Sequence, residues 1–551
     1  MRTRDDLIRR YDREGLLEGS YDCVDRVVLN GYLSICHSPG GFRTWWRAWH
    51  GGHDDQLDDN HLIRLAGRFA RRVRAFAEAN GIPVIDCAAG ERKHLIAEEY
   101  LGHHQVDRGV FLILVAKAVS PTWKVTRSKS GVLVNLKKQQ AFVKHYSFHI
   151  MDPDWGHVVI KISGHPPFGA QIILNGHNYV ARRADRSGIG YTKEGNCFTT
   201  IENPARLARV ADTLSLPAAI GRLRQVCDRW IYTSVLCFAL DRSEQELSRA
   251  RYDYSVYQVE YSRNLLFADG AQMDQVFNRL VDRTRPRLDV PRLKVLFGAK
   301  RRPHRDRKHP ATLAAVVETP SYDLTWFKVT FGRLGLKAYT KGERVLRMEA
   351  TCHNAAELGC GRVLDKLPDI IARLKAMAER FATTLDAASV GFISDRILDQ
   401  LPRPGQLGAT RVGGISLDSP RARRTLAAVA ALAPAPKGFT IAELTNKVHT
   451  MTGQTHADYS IRQAAYDLRK LRAKNLVEKP GTTRRYQVPP QALRTITALT
   501  TIRDHVLAPL LGAINTPRVP TKTNTWTNIE HDYEALRTDM QTLFADLGIA
   551  A

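Results

Sequence analysis

A chain of 551 residues is too long to be organised by one hydrophobic core, because single cores stop growing near ~250 to 300 residues. The first expectation is therefore a multidomain protein of about three to five units, with divisions where the residue pattern changes. Residues 1–140 alternate helical and strand patterns. An amphipathic opening Asp5 to Leu17, an apolar strand Val24 to Leu33 and a helix through Leu62 to Ala79 come first. A strand Ile82 to Cys87, a helix Glu91 to Leu101 and the apolar strand Val110 to Ala116 follow. That order predicts an α/β domain.

Residues 141–310 open with FVKHYSFHIMD and HVVIKIS, both of period two around Asp152-Pro153-Asp154-Trp155-Gly156, which predicts a β-hairpin. A mostly helical pattern runs from Pro204 to Phe297 and ends in the basic run Lys300 to Lys308, which has no apolar face and reads as a loop. Residues 311–400 hold strand-like segments at Leu324 to Thr330, Leu334 to Tyr339 and Val345 to Cys352, then a helix Lys366 to Leu385, as a small α+β unit would. The stretch 401–419, rich in proline and glycine, reads as a linker to a helical module at 420–551.

Charge narrows the partner. The 81 Lys and Arg against 56 Asp and Glu leave a formal net charge of +25, which attracts polyanions and releases their counterions on binding. DNA is the expected partner, and RNA would answer to the same charge. The plainer reading is a basic surface that only confers solubility. None of the eight cysteines forms a C-x-x-C pair, which argues against a disulfide framework and a cysteine zinc finger and fits a reducing cytoplasm. The N-terminus has no apolar signal core, and no run approaches the ~20 apolar residues of a membrane span. No membrane partner is expected, the expected location is cytoplasmic, and nothing fixes an oligomeric state.

The C-terminal module carries the sharpest local signal. Gly438-Phe439-Thr440 supplies a turn and cap for a short helix Ile441 to Thr450. After a polar turn, Ser460 to Asn475 places Ile461, Ala464, Ala465, Leu468 and Leu471 inward, with Arg462, Gln463, Tyr466, Arg469, Lys470 and Arg472 largely outward. Next come two short strands around Pro480-Gly481, bearing Arg484 and Arg485. The order of helix, turn, Arg-rich helix, Lys-Asn-Leu-Val, turn and Arg-Arg-Tyr resembles winged-helix DNA-binding domains of the MarR type. That resemblance implies an Arg-rich helix in a major groove and a wing along a phosphate backbone. Winged helices also serve as protein-interaction modules, the competing reading. The expected fold class is thus α+β and multidomain: an N-terminal α/β region, central hairpin-containing and helical regions, and a C-terminal winged helix.

Two places suggest chemistry. On the predicted hairpin, His145, Ser147 and His149 share one strand face, and His157, Val159 and Lys161 share one face of the next. With a five-residue loop those faces coincide, bringing His149 and His157 together beside Asp152 and Asp154, a set suited to a divalent metal such as Mg or Mn or to acid and base work. The plainer reading is structural histidines in a sheet. The second place is Tyr339-x-Lys341 followed by Leu346-Arg347-x-Glu349. It resembles a pattern of plasmid and filamentous-phage replication initiation proteins, and so implies strand cleavage or nicking with Tyr339, Lys341, Arg347 and Glu349 at the site. A plain hairpin with an internal Arg-Glu pair competes with that reading.

Two weaker signals are Asp86 with Glu91-x-Lys93, whose gap is short for a metal-dependent nuclease, and the tyrosines from Tyr252 to Tyr261, which at helical spacing suit a core or base stacking. The whole layout is similar to an uncharacterised bacterial family, which names no reaction. The function expected is a DNA-processing or replication-initiation-like protein, as from a mobile element. The alternative is a transcriptional regulator that cuts nothing.

Overall fold

The computed structural model describes residues 6–284 except 89, 131 and 132, then 314–318, 326–331, 333–389 and 397–504, with parts of 531–542. The basic run at 300–308 lies outside the described residues. Strands β1 (Leu17–Leu33), β2 (Val84–Asp86), β3 (Gly109–Arg127), β4 (Leu133–Asp152), β5 (Gly156–Ser163) and β6 (Ala170–Asn175) are followed by a small hairpin of β7 (Tyr191–Glu194) and β8 (Cys197–Ile201). Then come β9 (Tyr252–Phe267), β10 (Ala314–Glu318), β11 (Trp326–Phe331), β12 (Leu334–Lys341) and β13 (Val345–Cys352), with a short ribbon of β14 (Gly405–Leu407) and β15 (Thr410–Val412).

Eleven of these strands join one sheet in the order β10-β11-β12-β13-β9-β1-β6-β5-β4-β3-β2, antiparallel throughout except for the parallel β2–β3 edge pair. The three units expected at 1–140, 141–310 and 311–400 are therefore not separate: strands from all three lie side by side, over one core that runs from Ile8 to Leu385. The sequence pattern reports each strand's period but not its partner, and β1 pairs with β6 and β9, both distant along the chain. Within the stretch expected to be helical, Tyr252–Phe267 is a strand. Tyr252, Tyr254 and Val256 alternate with half-exposed Asp253, Ser255 and Tyr257, a period of two that wins over the helical spacing of the tyrosines.

The sheet has two unlike faces. One carries Val27, Leu29, Ile172, Leu174, Ile160, Ile162, Phe148 and Ile150, all buried, under helices such as Asp59–Ala79, Ala218–Ser234 and Leu367–Ser389. The other face is mostly polar.

A second core, from Ala387 to Leu499, holds the C-terminal helices Pro420–Leu432, Ile441–Thr452, Ile461–Ala473 and Pro490–Ile502. Capping boxes start two of them, Thr440 with Glu443 and Ser460 with Gln463, and Gly453 closes the first in the left-handed region. Single bridges join Phe439 to Tyr486 and Glu478 to Gln487. The segment expected as a linker at 401–419 is packed structure: Leu401, Val412 and Ile415 are buried, and the β14–β15 ribbon lies against the Ile461–Ala473 helix. Proline and glycine there mark tight turns, not slack.

Candidate functional site

Reading the polar face across the strands gives its content. In one row Glu260 (β9), Arg26 (β1) and Asn175 (β6) pair in register, and His157 pairs with Met151. The next row runs Gln258, Val28, Ile173, Val159, His149 and Leu112, and the third Ser255, Asn30, Gln171, Lys161, Ser147 and Leu114. His145 follows beside Ser163. The Lys93–His103 helix closes the β3 end of this face, where Ala97 packs with Leu112, Leu114 and Met151, and the β7–β8 hairpin reaches over the β12–β13 end through Asn196.

His149 and His157 meet, with His149 Nδ1 3.0 Å from His157 Nε2. Burial, reinforced for His149 by His157, Lys161 and Lys93, pushes His149 down to about 3, and burial pushes His157 down to about 4. Both rings are neutral at neutral pH, so one N–H donates to the other ring's lone pair.

The carboxylates expected beside them are elsewhere. Asp152 follows Met151, so period two turns it to the opposite face. There its Oδ1 accepts from the Asp154 and Trp155 amides, and its Oδ2 from Arg229 at 2.7 Å and Trp230 at 2.8 Å. Asp154 is bound by Arg186, which holds it below the ordinary carboxylate value. Both acids are structural, and the expected set of two histidines and a carboxylate does not assemble.

The Tyr339, Lys341, Arg347 and Glu349 segment does converge, on a buried network. The Tyr339 hydroxyl donates to Glu349 Oε2 at 2.9 Å, and Glu349 also accepts from Lys337 and Thr351. Lys341 donates to Asn196 Oδ1 at 2.6 Å. Arg347, fully buried, pairs with Asp25 and donates to Asn264 Oδ1. Burial above all pushes the Tyr339 hydroxyl well above its ordinary value, so it is a poor nucleophile as placed.

Asp25 was not anticipated. A β-bulge between Val24 and Arg26 leaves Asp25 as the extra residue, which directs both Asp25 and Arg26 toward the polar side. Gly176 secures the neighbouring helix start: a Cβ there would lie 1.7 Å from the Val24 carbonyl oxygen, and this close approach brings His177 Nδ1 to 3.1 Å from Asp25. Burial opposes ionisation of Asp25, but Arg347 and His177 overcome it and hold the carboxyl below its ordinary value. Cys23, Asp25 and His177 bring metal-ligating atoms within 4.8 Å of one another, yet Asp25 is already engaged by Arg347, so a cation there competes with a buried guanidinium. The sequence shows the adjacent Asp25 and Arg26 in a strand that also carries Asp22 and Asn30, which does not say where Asp25 points.

Compared with family models, curated proteins and solved structures, the chain matches none.

On the Ile461–Ala473 helix, Arg462 and Arg469 are exposed and Arg472 is half-exposed. Like that of exposed Arg484, the side chains of these three make no ion pair or hydrogen bond among the described residues. The other expected contacts are engaged. Gln463 serves the capping box, Lys470 sits over the Tyr466 ring, the Tyr466 hydroxyl accepts from Gly413, and Arg485 donates to the Gly438 carbonyl. Among the described residues no helix is long and apolar enough to cross a membrane.

Proposed function

We propose that this protein binds nucleic acid through its C-terminal unit, used as a winged helix, and serves DNA processing or replication initiation. One observation carries the reading. Arg462, Arg469, Arg472 and Arg484 are cations whose side chains have no partner among the described residues, three along one helix and one at the adjoining turn, on a chain of net charge +25. Unpaired arginines on a helix face are the groups that neutralise phosphates and reach base edges. The half-open polar face of the large sheet, with Lys161, Arg26 and the histidine pair, is where a bound strand would meet polar chemistry.

The second reading, a regulator that cuts nothing, is favoured by the burial of Tyr339 and by the full engagement of Glu349 and Asp25. Incubating the full chain with supercoiled DNA, with and without Mg²⁺ or Mn²⁺, separates the two. The processing reading expects nicked product. Loss of a covalent adduct in Tyr339→Phe would assign the nucleophile, and loss of metal-dependent cleavage in His149→Ala would assign the histidine pair. Binding without any nicking leaves the regulator.

A further inference from the structure

On the polar face, the charges of Arg26 and Lys93 both reach Lys161, and Glu260 answers the charge of Arg26 alone among these three. Burial and then the charges of Arg26 and Lys93 lower the Lys161 ammonium, with no carboxylate among the described residues acting in the opposite direction. His145 feels the same two lysines. Glu260, the acid paired in register with Arg26, accepts from Gln258 at 2.6 Å. Around these cations lie buried polar atoms with no hydrogen-bond partner among the described residues: Arg26 Nε, Ser147 Oγ, His145 Nε2 and His149 Nε2. Ser147 is 1% exposed and His149 3%, and Ser147 pairs in register with Lys161. Mutually repelling cations and orphaned polar groups each cost stability. A single ligand relieves both costs: an oxyanion with several acceptor oxygens.

We infer that Arg26, Lys93, Lys161, Ser147 and His149 form a phosphate-binding site on the polar face of the sheet. Arg26 and the two lysines supply charge, and Ser147 donates its hydroxyl. The tautomer in which His157 donates to His149 Nδ1 leaves His149 Nε2–H free to donate as well. With nucleic acid as the source of the phosphate, the site rests on the function proposed above; with a free phosphate or phosphomonoester it stands by itself.

The test uses the full chain with inorganic phosphate, followed by calorimetry, and with a single-stranded oligonucleotide, followed by anisotropy. Lys161→Met and Arg26→Met are each expected to weaken phosphate binding at least about tenfold, whereas Lys161→Arg retains it. Without phosphate, Lys161→Met is expected to melt at the same temperature as the wild type or higher, because a repelled cation has been removed; a merely structural lysine would give a lower melting temperature. A parallel loss of oligonucleotide affinity identifies the nucleic-acid backbone as the source. Phosphate loss with unchanged oligonucleotide affinity supports the site with a small phosphate compound as its ligand, leaving the C-terminal reading to its own assay. Absence of phosphate binding, or phosphate binding indifferent to both methionine variants, overturns the site even if DNA still binds.

Discussion

The His149–His157 pair is a residue-scale device whose energetics depend on pH. Both imidazoles titrate low in the folded chain, at about 3 and about 4, against an ordinary value near 6.5 in the unfolded one. Between those limits the unfolded chain binds more protons, so stability is complete above about pH 6.5 and falls as pH drops, by up to about 1.4 kcal/mol per pH unit for each histidine. Denaturant unfolding of the wild type and of His149→Asn/His157→Asn measures this. The wild type should lose stability more steeply below about pH 6.5, and parallel curves would contradict it. Asp386 offers a second test. It is 1% exposed and receives both Arg10 and Arg494, so Asp386→Ala leaves two arginines without their shared anion and should cost about 3 to 5 kcal/mol. A loss below about 1 kcal/mol would mean that the pairing is solvated like a surface bridge. At this scale the histidine contact was legible, because strand parity puts His149 and His157 on one face. The same parity, applied one residue further, turns Asp152 away. Asp25 was not legible: a bulge breaks the parity from which its direction would be read.

Among elements, β12 and β13 lie almost where period two and the intervening glycine turn place them, and the capped helices Ile441–Thr452 and Ile461–Ala473 follow their cap signatures. The stretch at 401–419 misleads because proline and glycine mark both slack linkers and tight ribbons, and only burial tells them apart. The consequence is measurable. Leu401 and Ile415 belong to the C-terminal core, and the Lys474 ammonium donates to the Gln400 carbonyl. A fragment beginning at residue 397 should therefore be more stable than one beginning at 419, by about 2 to 5 kcal/mol for the core side chains removed. Equal melting temperatures for the two fragments would restore the linker. The ribbon also touches the Ile461–Ala473 helix through the Gly413 amide, which donates to the Tyr466 hydroxyl, while Arg462 and Arg469 stay exposed.

For the whole molecule, one eleven-stranded sheet replaces the three expected N-terminal units, because pairing between strands far apart in sequence leaves no trace in local periodicity. The C-terminal unit is attached to that body: Arg494 bonds Asp386 at the end of the Leu367–Ser389 helix, and Arg380 reaches Gln487. A nucleic acid held by the C-terminal arginines would thus be held by a body that also carries the polar sheet face. The most direct test of this account is the salt dependence of binding by the full chain to duplex DNA, compared with Arg462→Ala/Arg469→Ala/Arg484→Ala. The wild type should bind with a steep negative slope of log affinity against log salt, and the variant's slope should be shallower by about 0.9 for each phosphate contact removed. Absent binding, or the same slope in both proteins, would contradict it.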